Sequence, residues 1–407
     1  MKKIFYGWWI VIACTLIMGT IFPLIHACLS LFIVPVTEDF GISRSTFSVF
    51  TLIASTTVMF FAPMAGKLLA TRNIKKLMLA SLVLAIFGYG SLCLVNNTVH
   101  LYILAVVIGV GEAFSTNIPS SILITRWFVK KRAQAMSVVF TGSSIGAMIL
   151  SPIISRIIVS SGWRAAYFYL GLGMVLVVVP LTFFVIRSSP EEMGLKALGA
   201  DEKIDENSNE FTVGIPLKEL QKKPVFWIFS FGIFIMLLTM GAMYHMPAYV
   251  TGLGFSAEDT ASFVSLYSLI MGIGKLLMGY VFEKYNVRYG VMLGFCSMTL
   301  TFVFLLLAES HSAMLLFVAV FYGIGSAHST IFPATLTSKL FGSKYYGEVF
   351  GLVTSFASLS LALNNLMMAL MYDIMGTYTL SWYVGIAVAV IGGLILLTSV
   401  EKSKNLI

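Results

Sequence analysis

Residues 265–288 read SLYSLIMGIGKLLMGYVFEKYNVR, an apolar helix that ends in a charged turn. One cation, Lys275, stands inside the apolar part, one helical turn after Met271 and one turn before Gly279. A lysine at bilayer depth costs about 2.5–3.5 kcal/mol on insertion scales, so such a side chain normally faces a cavity or a partner. The stretch therefore predicts a membrane-spanning helix that carries a buried positive charge.

The rest of the chain has the composition of a protein embedded in a bilayer. Its 407 residues are 58% hydrophobic and 11% charged, whereas a soluble domain is about one quarter charged. A spanning helix needs about 20 mostly apolar residues, and the sequence contains twelve such segments. They are residues 8–34, 45–69, 75–95, 99–125, 132–158, 163–187, 225–250, 259–282, 288–308, 312–338, 346–371 and 379–400. The sequence predicts an all-α membrane protein with twelve transmembrane helices.

The net charge of +8 follows a topological pattern rather than the footprint of a nucleic acid. Lysine and arginine cluster in alternate loops, which by the positive-inside rule are the cytoplasmic ones. These clusters are Lys2/Lys3, Arg72/Lys75/Lys76, Arg126/Lys130/Lys131/Arg132, residues 187–223, Lys284/Arg288, Lys339/Lys344 and Lys402/Lys404. We expect an integral protein of the plasma (inner) membrane with both termini in the cytoplasm. Acidic residues of the outer loops, such as Glu38 and Asp39, are expected to be solvated.

A long polar segment divides the helices into two groups of six. Residues 1–187 are predicted to form an N-terminal bundle and residues 224–407 a C-terminal bundle. Residues 188–223 between them are interpreted as a cytoplasmic linker, with a short amphipathic helix near Leu217–Leu220.

The two halves repeat each other. Residues 109–119, GVGEAFSTNIP, and residues 323–333, GIGSAHSTIFP, are identical at six of eleven positions with an offset of 214. The turns that follow Gly66 and Gly279 match at an offset of 213. Parallel repeats related by an axis along the membrane normal place a site near the midplane between them, so we expect a central site.

These features resemble the major facilitator superfamily and, within it, the oxalate/formate antiporter and monocarboxylate transporter group. The resemblance covers nearly the whole chain. Its motifs are Tyr6-Gly7-Trp8-Trp9, Ser30-Leu31-Phe32-Ile33-Val34-Pro35, Trp127-Phe128 with Lys131-Arg132, Gly162-Trp163-Arg164-Ala165-Ala166-Tyr167, Pro190-Glu191-Glu192-Met193-Gly194, and the loop motif Gly279, Glu283, Lys284, Arg288. It implies two pseudo-symmetric six-helix bundles. In the first half, Ala70 replaces the loop acid and Ala105 replaces an arginine that many members carry.

The resemblance implies a role for Lys275, because a cation in the pattern Arg-x-x-x-Gly binds the substrate carboxylate in this group. Here the pattern is Lys275-x-x-x-Gly279. The alternative is that Lys275 snorkels toward the cytoplasmic interface, since Glu283 is eight residues, or about 12 Å, away. The oxalate carriers carry a second cation in helix eleven, where this chain has Asn364 and Asn365. One cation favours a monocarboxylate over a dicarboxylate.

Other polar residues inside the predicted helices are further candidates. Glu112 is interpreted as a proton carrier or as a counter-ion of Lys275, and His26 as a second proton-coupling residue. Each has a structural alternative, namely a hydrogen-bonded packing role. Additional substrate-binding candidates are Phe114, Tyr244, His245, Tyr322, His328 and Asn364. Residues expected to serve conformational gating are Gly66, Gly279, Glu283, Lys284 and Arg288.

The predicted function is secondary active transport of a small organic anion, best matched by a monocarboxylate, through alternating access with proton symport or anion exchange. The alternatives are export of drugs or other amphiphiles by the same fold and a membrane sensor that does not transport. The expected partners are the anion, protons or a counter-anion, and the lipid bilayer. We expect a monomer that is not an enzyme and has no cofactor or metal. Walker, CxxC and HExxH motifs are absent from the sequence.

Overall fold

The computed structural model describes residues 5–26, 28–42, 44–200 and 214–404. Contacts divide the chain into two compact units, Met1–Asn209 with Tyr346–Ser355, and Glu210–Tyr345 with Phe356–Ile407. The helices that lie in the first unit are α1 (Gly7–His26), α2 (Ser30–Phe40), α3 (Arg44–Thr71), α4 (Ile74–Ser91), α5 (Thr98–Ser115), α6 (Asn117–Trp127) and α7 (Arg132–Pro180).

The second unit is also helical. Its helices are α8 (Leu217–Leu220), α9 (Pro224–Leu237), α10 (Ala242–Gly252), α11 (Ala257–Lys284), α12 (Val287–Ala308), α13 (Met314–Gly325), α14 (His328–Ile331), α15 (Thr337–Phe341) and α17 (Thr379–Ser403). Helix α16 (Tyr346–Met375) begins in the first unit and continues in the second. The short helix α8 confirms the one predicted at Leu217–Leu220.

Twelve spans are consistent with this structure. By length and composition, 11 candidate spans occur among the described residues, and one of them, Arg132–Val185, is 54 residues long. A continuous helix of that length would extend about 80 Å, more than twice the ~30 Å hydrocarbon core. Gly162, with φ 83° and ψ 165°, interrupts the helical backbone within it. The segment therefore supplies two spans, as the sequence predicted.

Some predicted spans are not single helices. The first, residues 8–34, is interrupted because α1 ends at His26 and α2 begins only at Ser30. The span at residues 99–125 is divided at Thr116, whose φ of −111° and ψ of −107° are not helical. Helices α13 and α14 are likewise separate. Hydropathy predicts the apolar length of a span, whereas such breaks depend on local backbone geometry.

The predicted repeat reappears in the packing of the two units. In the first, a methyl group added to Gly111 would lie 2.9 Å from Cβ of Ala85. In the second, a methyl group added to Gly325 would lie 2.9 Å from Cγ of Met298. These two pairs correspond at the offsets of the sequence repeat. The contact of α4 with α5 in the first unit is therefore repeated by the contact of α12 with α13 in the second, with a glycine at each contact. The pseudo-symmetric fold is thereby confirmed.

Helices α3 and α16 cross in the first unit through small residues alone. A methyl group on Gly66 would overlap the carbonyl oxygen of Gly347, and one on Gly351 would lie 2.6 Å from the carbonyl oxygen of Ala62. Ser355 Oγ donates a hydrogen bond of 2.7 Å to the carbonyl oxygen of Met59. Small residues every four positions let two helix backbones touch inside a bilayer.

The predicted linker is attached to a unit at each end. Its first part pairs with the end of α6, because the amide of Leu198 donates to the carbonyl oxygen of Trp127 at 2.9 Å. Its last part pairs with the end of α15, where the amide of Ile215 donates to the carbonyl oxygen of Phe341 at 3.4 Å. Residues 201–213 and the basic pair Lys2/Lys3 lie outside the described residues. The predicted domain borders remain predictions.

Arg126 closes the end of α3, where the sequence lacks the loop acid. Its guanidinium donates to the carbonyl oxygens of Ala70 at 2.8 Å and Leu69 at 3.3 Å, and to that of Ser188 at 3.2 Å. The last carbonyls of a helix have no partner within the helix and carry partial negative charge. The helix end itself therefore supplies the negative partner that a side chain would otherwise provide.

Candidate functional site

Lys275 lies on the side of α11 that packs against protein. Its side chain is 3% exposed, and the neighbouring Gly274 contacts the backbone of α13 at Gly323. The opposite side of the helix, which includes Ile273 and Leu276, is exposed. A lysine that snorkelled to the surface would keep its ammonium accessible, so the burial favours an internal role for this charge.

Two of the predicted substrate-binding residues have side-chain polar atoms that are buried without a hydrogen-bond partner among the described residues, as have Ser230, Thr330, Ser360, Ser381 and Trp382 of the same unit. One is the hydroxyl of Tyr322, which precedes the glycine that α11 contacts. The other is the side-chain amide of Asn364 on α16, for which both Oδ1 and Nδ2 lack a partner. Buried polar atoms are nearly always paired in native structures. Tyr322 and Asn364 therefore have hydrogen-bonding capacity left for a polar ligand.

His245 and Tyr244 are adjacent on α10 but differ in environment. Nε2 of His245 lies 3.0 Å from Oδ1 of Asn365, and its Nδ1 lies 3.3 Å from the hydroxyl of Tyr378. Tyr244 is 41% exposed. The histidine therefore connects α10 to α16 and to the turn before α17. This arrangement gives His245 a structural role, whether or not it also contacts substrate.

His328 is fully buried and held by backbone. Its Nδ1 lies 2.7 Å from the carbonyl oxygen of Gly325, and its Nε2 lies 3.2 Å from that of Met236 and 3.4 Å from Oγ1 of Thr239. Both ring nitrogens are therefore engaged in joining α14 to α13 and α9, which favours the packing interpretation. Phe114, its counterpart in the repeat, is also buried. The substrate-binding roles of both remain predictions.

Glu112 and His26 form a buried pair in the first unit. Nε2 of His26 lies 2.9 Å from Oε1 of Glu112, which joins α1 to α5. Glu112 is 4% exposed, and its Oε2 has no hydrogen-bond partner among the described residues. The two predicted proton-coupling residues thus meet. A carboxyl and an imidazole at hydrogen-bond distance can share a proton or separate charge between them.

The residues predicted to gate the conformational change lie at helix ends and crossings. Gly66 is at the crossing of α3 and α16, and Gly279 is buried in α11. Lys284 donates to the hydroxyl of Tyr280 at 2.7 Å, and Arg288 pairs with the exposed Glu401 at 3.2 Å. Glu283 is half-buried. These placements leave the gating role a prediction.

An ion pair at the end of α2 adds a partner that the sequence did not indicate. Asp39, expected to be solvated, is 41% exposed and accepts a hydrogen bond of 2.5 Å from Nη1 of Arg164. The same guanidinium stacks on Trp163, 4.1 Å from the ring centroid, and donates to the carbonyl oxygen of Val95 at 3.2 Å. The two partners are 125 residues apart in sequence, so charge alone did not indicate the pairing.

Sequence reasoning missed the partners that complete these contacts. Asn365 was noted only as a neutral replacement for a cation, and Tyr378 was not considered, although both hold His245. A tyrosine in a loop between two spans, close to a helical Asn-Asn pair, was the available signal. Among the described residues no group of three or more His, Cys, Asp or Glu side chains could hold a metal ion.

Known proteins resemble this chain along its length. The oxalate:formate antiporter of Oxalobacter formigenes is 26% identical over 272 residues, 65% of this chain and 61% of the antiporter. Monocarboxylate transporter 12 of Mus musculus is 23% identical over 92% of this chain and 81% of its own length. The gallate transporter of Pseudomonas putida is 22% identical over 91% of this chain and 89% of its own length.

A solved structure and a family model agree on the fold. The proton:xylose symporter XylE, bound to 6-bromo-6-deoxy-D-glucose, aligns with a TM-score of 0.78 over 96% of this chain and 95% of the symporter. At 14% identity this likeness shows the fold alone. The model described as Major Facilitator Superfamily matches residues 8–273 and 257–406. The chain is an integral membrane protein and a transporter of the Major Facilitator Superfamily.

Proposed function

We propose that this transporter moves a small organic anion, and specifically a monocarboxylate, with Lys275 as the residue that binds the carboxylate. The observation that carries the proposal is the burial of this lysine inside an apolar helix. A charge at that depth is costly and is usually retained for a substrate or ion pathway. The named substrates of three relatives, oxalate and formate, monocarboxylates, and gallate, are all carboxylates.

A single ammonium group suits a single carboxylate. Lysine presents a point charge rather than a planar fork, so it attracts the anion without fixing its orientation. Neutral donors must supply the orientation, and the hydroxyl of Tyr322 and the amide of Asn364 are buried with hydrogen-bonding capacity unused in the described part of the chain. We therefore assign Tyr322 and Asn364 as orienting groups for the substrate.

Coupling is proposed to use the pair of Glu112 and His26. In proton symport, the pair takes up a proton with the anion and releases it on the other side during alternating access. In anion exchange, the pair keeps its proton and a second anion returns in place of the first. A pH gradient drives uptake only in the first case, so transport itself distinguishes the two.

The decisive experiment measures uptake in proteoliposomes. Labelled lactate, formate and oxalate are supplied with and without a pH gradient. The expected result is uptake of at least one monocarboxylate, its loss in Lys275→Ala, and partial recovery in Lys275→Arg. Lys402→Ala is the matched control, because Lys402 is a lysine of the second unit at an exposed position of α17. Unchanged anion uptake by Lys275→Ala would reject the assignment.

Absence of anion uptake by the unaltered protein would favour the amphiphile exporter instead. Efflux of a fluorescent amphiphile from loaded vesicles would then be expected, with little dependence on Lys275. The proposal also includes both termini in the cytoplasm of the inner membrane, on the distribution of basic loops, and a monomeric carrier. Reporter fusions at each terminus and light scattering of the detergent-purified protein test these two statements.

A further inference from the structure

Helices α4 and α5 approach each other closely beside Glu112. A methyl group added to Gly88 would lie 2.6 Å from Cγ1 of Ile108, and one added to Gly111 would lie 2.9 Å from Cβ of Ala85. The contacts run in opposite order along the two helices, so the helices are antiparallel. Tyr89 follows the first glycine and Glu112 follows the second, which places them at the same crossing.

The directions that side chains take on a helix favour an approach of these two polar ends. In an α-helix the Cα–Cβ bond tilts toward the N-terminus, and long side chains lie over the preceding turn. Tyr89 therefore leans toward the level of Ala85, and Glu112 leans toward the level of Ile108. Because the helices are antiparallel, the two side chains lean toward each other. The hydroxyl of Tyr89 lies within electrostatic reach of the Glu112 carboxyl.

Each of these groups has the hydrogen-bonding capacity that the other needs. The hydroxyl of Tyr89 and Oε2 of Glu112 are both buried, and neither has a hydrogen-bond partner among the described residues. The other carboxyl oxygen, Oε1, is engaged by His26. Burying a polar atom without a hydrogen-bond partner costs the full free energy of its desolvation. A hydrogen bond between this donor and this acceptor would remove both costs.

We propose that Tyr89 is a positioning residue of the Glu112–His26 pair, and that its hydroxyl donates to Oε2 of Glu112 while the carboxyl is ionised. Protonation of the carboxyl weakens this bond, so Tyr89 favours the charged form. The inference rests on the proposed function for its role in transport. The groups near this crossing come from several helices. His26 of α1 contacts Glu112, Tyr167 of α7 and Cys28 after α1 lie near Tyr89 of α4, and Thr57 of α3 packs against Gly109, about one turn before Glu112.

The test follows protonation of Glu112 directly, without transport. The infrared carbonyl band of the protonated carboxyl is recorded against pH in the purified full-length protein in lipid nanodiscs. Loss of the band in Glu112→Gln assigns it. Tyr89→Phe is expected to move the midpoint upward by about one pH unit, a roughly tenfold change in proton affinity, since a hydrogen bond to a charged group is worth that much.

Tyr102→Phe is the matched control. Tyr102 lies on α5, the helix of Glu112, and its hydroxyl donates to the carbonyl oxygen of Thr46 at 2.8 Å. This variant also loses one hydroxyl but should leave the midpoint unchanged. An unchanged or lowered midpoint in a folded Tyr89→Phe protein overturns the inference. If that variant does not fold, 3-fluorotyrosine at position 89 alone is a stronger donor and must lower the midpoint. If the midpoint does not move in the fluorotyrosine protein, the inference is overturned.

Uptake of labelled lactate against pH separates this inference from the proposed function. Equal upward shifts of the infrared midpoint and of the pH profile of uptake support both. An infrared shift in a protein whose uptake does not depend on pH supports the contact of Tyr89 with Glu112 and rejects the proton-carrying role. An unchanged infrared midpoint rejects the inference, whatever the transport result.

Discussion

Nε2 of His26 lies 2.9 Å from Oε1 of Glu112, so two titratable side chains from α1 and α5 share one hydrogen bond in the interior of the first unit. Each partner lowers the cost of burying the other. Removing one member leaves a buried polar atom of the other without a partner, which typically costs about 1–3 kcal/mol. The contact therefore helps to hold α1 against α5.

The first prediction concerns Glu112 as the proton carrier. Glu112→Gln keeps the shape of the side chain but cannot ionise, so a pH gradient should no longer accelerate uptake of the labelled anion. Exchange of internal for external anion should persist, and counterflow in proteoliposomes measures it. Glu219→Gln is the control, since Glu219 is exposed on the short helix α8. Retained proton dependence in Glu112→Gln would remove this role.

The second prediction concerns the other member of the pair. His26→Phe leaves Oε1 of Glu112 without its hydrogen-bond partner, which should lower the free energy of unfolding by about 1–3 kcal/mol. Thermal unfolding in detergent measures the loss. His100→Phe, at an exposed position of α5, should show little change. Equal losses in the two variants would contradict the contact.

The third prediction concerns the crossing of α3 and α16. Gly66→Ala places a methyl group against the carbonyl oxygen of Gly347, and overpacking of this kind costs about 1–3 kcal/mol. Gly173→Ala, on α7, meets no atom within 4 Å and should be neutral or stabilising by about 0.5–1 kcal/mol. Thermal unfolding of the two variants side by side checks the order. Equal melting temperatures would show that the crossing is not close.

The fourth prediction concerns the contact between His245 and Tyr378. Burial, followed by the nearby charges of Tyr372 and Asp373, raises the pKa of Tyr378 above its usual value, so its hydroxyl stays protonated and donates to the histidine. Tyr378→Phe should cost about 0.5–1.5 kcal/mol of stability.

In a His245→Leu background the same change of Tyr378 should cost almost nothing, because the acceptor is already missing. The double-mutant cycle of unfolding free energies gives this coupling. Tyr383→Phe, at an exposed position of α17, should be additive with His245→Leu. A coupling indistinguishable from that of the control would contradict the contact.

The fifth prediction concerns the ion pair of Asp39 and Arg164. Both side chains are 41% exposed, so Asp39→Asn should cost only about 0.2–1 kcal/mol. Arg164→Ala should cost more, because the guanidinium also stacks on Trp163 and donates to Val95. Unfolding in low and high salt separates the effects, since only the ion pair is screened. Equal losses in the two variants would argue against the stacking contribution.

Apolar length and repetition were sufficient to predict the twelve spans and the repeated halves. Hydropathy reports a bilayer crossing directly, and a repeat offset is a property of the sequence itself. The break at Thr116 was not predictable in the same way, because a polar residue near the middle of an apolar segment is compatible with a continuous helix. The early end of α1 at His26 is another such case.

The sequence indicated how deep a polar residue lies in the bilayer better than it indicated which residue that side chain contacts. The position of Glu112 in its span indicated burial, but helical periodicity does not say which of several helices faces it. The sequence therefore allowed Lys275 as its counter-ion, whereas the structure places His26 beside it. Ala70 shows the same limit. The sequence shows that an alanine stands where the loop motif has an acid. It does not show that Arg126 donates to the carbonyl oxygen of this alanine instead, because that contact depends on three-dimensional packing.

The crossing of α3 and α16 should be insensitive to dissolved ions. The contacts described there, from Met59 to Gly66 and from Gly347 to Ser355, are made by uncharged groups, so added salt has no charge to screen at them. A change in ionic strength should therefore alter the exposed ion pair of Asp39 and Arg164 while this crossing keeps its strength.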